Sequence, residues 1–392
     1  YDYIEEALQK LSNNYQVIVM EGGGSPAEVN LRENDLVNMS VAEIVNAPVI
    51  LIADIDKGGV FASIVGTLEL LQPEESNRIK GIIINKFRGD VERFESGIDF
   101  IEEYTGIPVL GVVPFAQDID LPDEDSVYQK HQGKEDYDID ISVIYLPHIS
   151  NFTDFDYLSY EPGVRVRYIK DENEIGDPDL IIVPGSKNTI DDLRKIYKNG
   201  IGDKIKKLHQ NGTPVIGICG GYQMLGKEIK DPLHIETEKG MQEGIGLLNI
   251  ETTLQSRKIT RQINAIDLDN LPFSDRLECK KLSGYEIHQG RTTLASNLSN
   301  LFRIQRNDQN DMINDGAISE DGSVWGTYIH DIFKNDNFRR ELINYLRRKK
   351  GLSSIKEDNI SAEKIRERNY DQFADLVSNN IDMEKIYEII FD

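Results

Sequence analysis

The chain has 392 residues, enough for two or three domains, and 39% of them are hydrophobic. Its 68 acidic residues outnumber 44 basic residues, which gives a formal net charge of -24. This charge excludes a simple nucleic-acid binder and argues against binding to an anionic membrane surface. The apolar content excludes a disordered acidic protein, and no run of about 18 apolar residues could span a membrane. Two cysteines make no disulfide framework, so a cytoplasmic location is predicted.

The first third of the chain alternates short runs rich in Val and Ile with helix-length segments. The runs are continuously apolar rather than alternating, which is typical of strands buried on both faces of a parallel sheet. The whole therefore predicts a doubly wound α/β domain. The predicted strands are 17–20, 48–53, 81–84 and 109–113.

An acidic, polar segment at 116–138 is the best candidate linker, and the same rhythm restarts beyond it. Residues 241–330 are richer in β-type runs, and residues 335–392 are charged and helical by pattern. The strands predicted after the linker are 139–146, 164–169, 180–183 and 215–218. The predicted domains are 1–130, 139–335 and a helical extension at 336–392.

Polar clusters follow three predicted strands in the first domain, and ligands of open α/β sheets bind at such strand ends. A carboxylate beside glycines suits Mg2+ held with nucleotide phosphates, and a Lys before Gly-Gly suits an anion. Each cluster alone is as well explained by ordinary turn chemistry, and no complete phosphate-binding loop motif is present. The candidate residues are Glu21, Asp54, Asp56, Lys57, Gly58 and Asn85.

The sequence Gly217-Ile-Cys219-Gly-Gly221 lies between an apolar strand and a predicted helix. It has the form of a nucleophile elbow, with Cys219 at the nucleophile position and the N–H of Gly220 facing a developing oxyanion. A cysteine at a strand end is more commonly a small buried hydrophobe, but the flanking glycines favour the nucleophile. Such a cysteine needs a base, and spacing alone does not rank His330 against His288.

Four segments of the second domain together resemble the class I glutamine amidotransferases, and most closely those that amidate cobyrinic acid. These segments are 183–189, 217–226, 284–292 and 325–333. In the first domain, EGGGSPAEVNL, ADIDKGGVFAS and NKFRGD resemble motifs of the cobyric acid synthase family. The resemblance implies a dethiobiotin-synthetase-like, P-loop-type parallel sheet followed by a flavodoxin-like amidotransferase domain.

The resemblance also implies roles for residues. Cys219 would attack glutamine with His330 as its base, and Ser186 and Gly220 would form the oxyanion region. The wider amidotransferase family has a Glu two residues after the His, where this chain has Ile332, so the third member of the triad is left open. In the first domain Glu21 would bind Mg2+ and Asn85 would face the adenine of ATP.

The activity implied is amidation of the b, d, e and g carboxylates of adenosylcobyrinic acid a,c-diamide with ammonia from glutamine. The chain begins Tyr-Asp-Tyr, so the family's phosphate-binding segment is expected before Tyr1, and weak ATP binding is expected of this chain. Two alternatives stay open. One is an amidoligase for another polycarboxylate, such as a cell-wall lipid precursor. The other is a ParA/MinD-like nucleotide-binding scaffold with a degenerate amidotransferase domain.

Overall fold

The computed structural model describes residues 1–32, 35–116, 119, 136–309, 311–356 and 361–391. The chain divides into two compact units, one of Tyr1–Leu121 with Arg366–Asp392 and one of Pro122–Ile365. Across the described ranges, no helix has the length and apolar character needed to cross a bilayer. Most of the predicted linker at 116–138, with His131 in it, lies outside the described residues.

The helices are α1 (Asp2–Ser12), α2 (Met39–Ile44), α3 (Val60–Leu70), α4 (Pro73–Ser76), α5 (Glu95–Thr105), α6 (Asp156–Ser159), α7 (Thr189–Lys198), α8 (Ile201–Gln210), α9 (Gly220–Met224), α10 (Asp336–Lys349), α11 (Ala362–Ser378) and α12 (Met383–Phe391). The strands are β1 (Val49–Asp54), β2 (Ile79–Phe87), β3 (Val109–Pro114), β4 (Ile139–Ile144), β5 (Val164–Ile169), β6 (Leu180–Val183), β7 (Val215–Ile218), β8 (Glu228–Lys230), β9 (Met241–Glu243), β10 (Ile250–Asp267), β11 (Lys281–Leu294), β12 (Phe302–Arg306), β13 (Met312–Asp315), β14 (Ala317–Ile318), β15 (Val324–Thr327) and β16 (Ile329–His330).

The first unit is built on a parallel sheet in the order β1-β2-β3. On one face, Ile82 and Ile84 of β2 pack with Ile64 of α3 and Ile101 of α5. The strands are continuously apolar because helices cover both faces of this sheet, as the sequence pattern indicates. Register places Asp54 of β1 beside Asn85 of β2, so the polar residues that end these strands meet at one edge.

The second face of this sheet is covered by the end of the chain. Ile83, Leu110 and Val113 pack against side chains of α11 and α12. The backbone comes close because Gly111 has no side chain: a Cβ there would overlap the carbonyl oxygen of Asn380. The N–H of Asp382 then donates to the carbonyl of Leu110 at 2.7 Å. The predicted helical extension 336–392 is thus divided, since α10 packs into the core of the second unit.

The predicted strand at 17–20 is not formed. These residues have no regular secondary structure, and Val19 is 88% exposed. An apolar run becomes a strand only where a neighbouring strand accepts its hydrogen bonds. Among the described strands, β1 pairs with β2 alone, and residues 17–20 do not pair with it.

The second unit contains a six-stranded sheet in the order β14-β15-β7-β6-β4-β5. Strands β15, β7, β6, β4 and β5 are parallel, and β14 is antiparallel to β15. The four strands predicted after the linker match β4 to β7. Helices α7, α8, α9 and α10 pack around this sheet with their apolar side chains in one continuous core.

A second sheet carries the β-rich region, in the order β13-β12-β10-β11-β16, with β8 beside β10 and β9 beside β8. The chain passes from one sheet to the other at Tyr328, since β15 pairs with β7 and β16 pairs with β11. At the end of β15, the carbonyl of Thr327 accepts a 2.8 Å hydrogen bond from the N–H of Cys219, which follows β7. His330 lies three residues after Thr327, so the crossing brings it to the end of β7.

Candidate active site

Cys219 forms the turn between β7 and α9. Its backbone has φ 53° and ψ -110°, a region that residues with a side chain rarely adopt. The turn is held close to β6, because a Cβ on Gly221 would overlap the carbonyl oxygen of Val183. A strained residue between a strand and a helix is the geometry of a nucleophile elbow, and the local sequence predicts this turn.

His330 is the base candidate nearest to this cysteine. Its side chain is fully buried, and its Nδ1 lies 2.6 Å from Oδ2 of Asp154. Burial alone lowers the pKa of His330, but the neighbouring Asp154 carboxylate and the sulfur of Cys219 outweigh burial and raise this pKa to about 10. The imidazolium form is therefore favoured between a carboxylate and the sulfur.

The other ring nitrogen of His330 is free for catalysis. Among the described residues, Nε2 has no hydrogen-bond partner although it is buried. The thiol of Cys219 meanwhile donates a weak hydrogen bond to the carbonyl of Ile287 at 3.5 Å. Asp154, His330 and Cys219 therefore stand in the order of a catalytic triad, with one nitrogen oriented and the other available for a proton.

Tyr285 fixes the plane of the His330 ring, and Asn151 in turn holds Tyr285 in place. Tyr285 stacks on the His330 ring with 5.1 Å between the ring centroids and an interplanar angle of 15°. The Tyr285 hydroxyl accepts a hydrogen bond from the amide of Asn151. Tyr285 on β11 is also the register partner of His330 on β16, so the sheet itself sets this contact.

The predicted oxyanion residues lie together, but the side chain of Ser186 is used elsewhere. Its hydroxyl donates to Oδ2 of Asp192 at 2.7 Å and accepts from the N–H of Asn188 at 3.0 Å. The backbone nitrogen of Ser186 is 3.0 Å from the position of a Cβ on Gly220. Any oxyanion contact from Ser186 therefore comes from its backbone N–H, next to that of Gly220.

His288, which spacing alone could not separate from His330, has a different environment. Its Nδ1 is 2.9 Å from the carbonyl oxygen of Gly290, and its Nε2 is 3.3 Å from Glu286. The ring stacks on Tyr328 at 3.8 Å between centroids. Both ring nitrogens thus have partners, and neither partner is the thiol.

In the first unit, the ends of β1 and β2 bring most of the predicted nucleotide residues together. Asp54 accepts from Lys86 at 2.8 Å, and Asp56 accepts from Arg88 at 2.6 Å. The interaction with Lys86 outweighs partial burial and lowers the pKa of Asp54. Lys57 and Gly58 follow in the exposed turn before α3, and the side chain of Asn85 accepts from the N–H of Lys86.

Glu21, the predicted Mg2+ ligand, is exposed within an irregular segment. Two residues further on, the carbonyl oxygen of Gly23 accepts a 2.8 Å hydrogen bond from the side-chain amide of Asn38. Asn38 lies at the end of neither β1 nor β2. In the part of the chain that the structure describes, no three His, Cys, Asp or Glu side chains are grouped as metal ligands. The described residues therefore do not form a metal site of their own.

Comparison with known proteins decides the family. Residues 140–338 match the CobB/CobQ-like glutamine amidotransferase domain, and residues 2–123 match an AAA domain. A cobyric acid synthase of Thermoanaerobacter sp. (strain X514) is 47% identical over 391 residues, which is 99% of this chain and 77% of that protein. The chain belongs to the cobyric acid synthase family. A relative with the same name from Streptococcus sanguinis (strain SK36) is 47% identical over 390 residues, 99% of this chain and 76% of that protein.

Membership of the cobyric acid synthase family confirms the resemblance seen in the motifs. It also confirms the α/β fold class, with a P-loop-like domain before an amidotransferase domain. A relative with the same name from Photorhabdus laumondii subsp. laumondii is 47% identical over 389 residues, 98% of this chain and 75% of that protein.

One functional residue was missed from the sequence of this cobyric acid synthase family member. The sequence leaves the third position of the triad open, because the position two residues after His330 is Ile332, a buried apolar residue. The structure instead supplies Asp154, which is 2% exposed and lies 176 residues before His330 in the chain. Its other oxygen accepts from the N–H of Asp331 at 3.1 Å. No spacing signal links residues so far apart, and only the fold brings them together.

Proposed function

We propose that the chain catalyses ATP- and glutamine-dependent amidation of the b, d, e and g carboxylates of adenosylcobyrinic acid a,c-diamide, giving cobyric acid. The observation that carries the proposal is the buried arrangement of Cys219, His330 and Asp154 in a member of this family. The residue roles, the individual carboxylates and the division of labour between domains are parts of the proposal.

In the glutaminase half-reaction, the Cys219 proton rests on Nε2 of His330, and the thiolate attacks the side-chain carbonyl carbon of glutamine. The oxyanion formed is stabilised by the backbone N–H groups of Gly220 and Ser186. His330 returns its proton to the leaving nitrogen, and ammonia departs as a thioester forms. Water then attacks the thioester, His330 takes one proton from that water, and glutamate and the free thiol are released.

In this scheme Asp154 is a positioning residue rather than a reacting one. Its carboxylate holds Nδ1–H of His330, so that Nε2 is the nitrogen that exchanges a proton with the sulfur. Tyr285 limits rotation of the same ring by stacking. The two contacts support a base whose orientation is set before glutamine binds.

The amide-forming half-reaction is assigned to the first domain, at 1–130, and glutamine hydrolysis to the second, at 139–335. ATP as co-substrate would supply the phosphoryl group that turns a corrinoid carboxylate into an acyl phosphate. Ammonia then displaces phosphate from that carbon, so one ATP is used for each amide formed. Lys57, Lys86 and Arg88 supply positive charge at the strand ends, which suits phosphate or carboxylate oxygens.

Mg2+ is proposed only as an ion carried with ATP. Mg2+ usually keeps several waters and binds through one or two carboxylates and substrate phosphates. The carboxylates at the strand ends are those of Asp54 and Asp56, and they form ion pairs with Lys86 and Arg88, respectively. The assignment of Glu21 to the metal has no supporting contact among the described residues.

The test combines glutamate release with a substrate screen. Cys219→Ala should abolish glutamate release, while the matched change Cys279→Ala, at an exposed thiol, should leave it unchanged. Adenosylcobyrinic acid a,c-diamide should stimulate ATP use and yield amides; a cell-wall lipid precursor should not. Unchanged glutamate release in Cys219→Ala would overturn the assignment of Cys219 as the nucleophile. If the corrinoid neither stimulated ATP use nor gave amides, the ligase assignment would be overturned.

A further inference from the structure

A small cavity of about 180 Å³ in the second unit is lined almost entirely by positive side chains. It lies on the second sheet, and no step of the glutaminase scheme uses it. Apart from Ile259 and Gln309, its walls are Arg257, Lys258, Arg261, Arg291 and Arg306.

The cavity is produced by an irregularity in strand pairing. β10 and β11 pair along most of their length, but the register slips between Leu254 and Ile259. Arg257 and Lys258 lie in the unpaired stretch. Arg291 comes from β11, opposite Thr253. Three cations from both sides of the slip therefore meet outside the regular ladder, where a β-bulge commonly redirects side chains.

Among the residues that the structure describes, two of the five cations have an acidic partner. Arg306 binds both oxygens of the buried Glu286, and Arg261 lies 2.7 Å from Asp308. Glu286 is also held by His288, so the floor of the cavity is a fixed network. Within the described residues, Arg257, Lys258 and Arg291 form no ion pair.

The uncompensated charge is unusual in a chain with a net charge of -24. Three like charges around one small cavity repel one another, and a bound anion offsets this repulsion. A guanidinium fork binds the two oxygens of a carboxylate or phosphate in parallel. Drug-sized ligands occupy cavities of ~300 Å³ or more, so this cavity fits one or two charged groups of a larger molecule.

We infer that this cavity binds oxyanion groups, carboxylate or phosphate, of a multiply charged ligand. The two sources available to the proposed reaction are the peripheral carboxylates of the corrinoid and the phosphates of the nucleotide. The choice of source rests on the proposed function, whereas oxyanion binding itself does not. Within the described ranges, the hydrogen bonds of Cys219, His330 and Asp154 are made with residues other than the five cations, so the cavity is separate from the glutamine chemistry.

The experiment is isothermal titration calorimetry on the full chain carrying Cys219→Ala, so that no turnover interferes. The probes are citrate, inorganic phosphate, ATP, adenosylcobyrinic acid a,c-diamide and L-glutamine. The test variant is Arg257→Gln with Lys258→Gln. The matched control, Lys198→Gln with Lys207→Gln, removes the same charge from exposed helix positions of the same unit.

Citrate or phosphate should bind the parent and the control equally, and the test variant should lose at least tenfold in affinity. If the corrinoid binds the parent more tightly than citrate or phosphate does, and the test variant loses this binding, the carboxylates of the corrinoid are the source. The same pattern with ATP would assign its phosphates as the source. Equal anion affinity in all three proteins, or a loss confined to L-glutamine, overturns the inference. Corrinoid-dependent amidation is measured separately, so either proposal can fail while the other stands.

Discussion

The ion pair between His330 and Asp154 in the second unit and the ion pair between Lys86 and Asp54 in the first unit differ in their exposure to water. In the second unit, the paired side chains of His330 and Asp154 are 0% and 2% exposed. In the first unit, Lys86 and Asp54 are 47% and 34% exposed at the ends of open strands. Burial makes the first pair strongly interacting and fixed in geometry, whereas water screens the second. The difference indicates that the arrangement around His330 is fixed by the fold of the second unit, while the strand-end residues of the first unit are open to solvent.

The largest effect should come from the base of the triad. His330→Ala should reduce glutamate release by ~10²–10⁴-fold, because the thiol loses the group that exchanges its proton. His288→Ala is the matched control, since that ring is held by Glu286 and Gly290 away from the thiol. Steady-state release of glutamate measures both variants. A larger loss in His288→Ala than in His330→Ala would reverse the assignment.

The second largest effect should come from Asp154→Asn, which should change how the alkylation of Cys219 depends on pH. An amide no longer supplies the charge that holds the pKa of His330 near 10, so this pKa falls and the imidazolium beside the sulfur is less populated at neutral pH. Alkylation of Cys219 by iodoacetamide, in a Cys279→Ser background, should require a higher pH than in the parent. An unchanged alkylation profile would exclude the positioning role of Asp154.

The same pKa has a consequence for stability. The pKa of His330 is raised from 6.5 to about 10 in the folded protein, so the protonated ring stabilises the second unit fully below pH 6.5. That contribution is lost as the pH rises through about 10. Trp325, the one tryptophan of the chain, is buried in this unit and reports its unfolding by fluorescence. The difference in unfolding free energy between parent and Asp154→Asn should therefore shrink above pH 10.

The close approach of the chain end to the first sheet gives a prediction of middle size. Gly111→Ala should destabilise the first unit by ~1–3 kcal/mol, because the added Cβ overlaps the carbonyl oxygen of Asn380. Hydrogen exchange of β3 amides should be faster, while Trp325 fluorescence should still report a normal second unit. Gly66→Ala, within α3 where a Cβ meets open space, is the control for a glycine change in this unit. Equal exchange in Gly111→Ala and the parent would contradict the packing.

These outcomes depend on features that the sequence reveals unequally. The role of Cys219 is predicted because its turn is local: the glycines and apolar strand that impose it are adjacent in the chain. The strands β4 to β7 are predicted because burial on both faces leaves a continuous apolar run. The run at 17–20 has the same composition but no partner strand, so composition alone gave a wrong strand there. Asp154 was missed because its role arises from tertiary structure, through the passage of the chain from β15 to β16.

The smallest expected effect is on the stability of the first unit when its exposed pair is broken. Asp54→Asn should change the free energy of unfolding by at most ~1 kcal/mol, because water screens a pair of which about a third or more is exposed. Hydrogen exchange of β1 and β2 amides measures the change. The same variant should weaken ATP-dependent amidation far more than stability if Asp54 serves the nucleotide. A large loss of stability would instead identify the Asp54–Lys86 pair as part of the scaffold, and the contrast between the two sites would no longer hold.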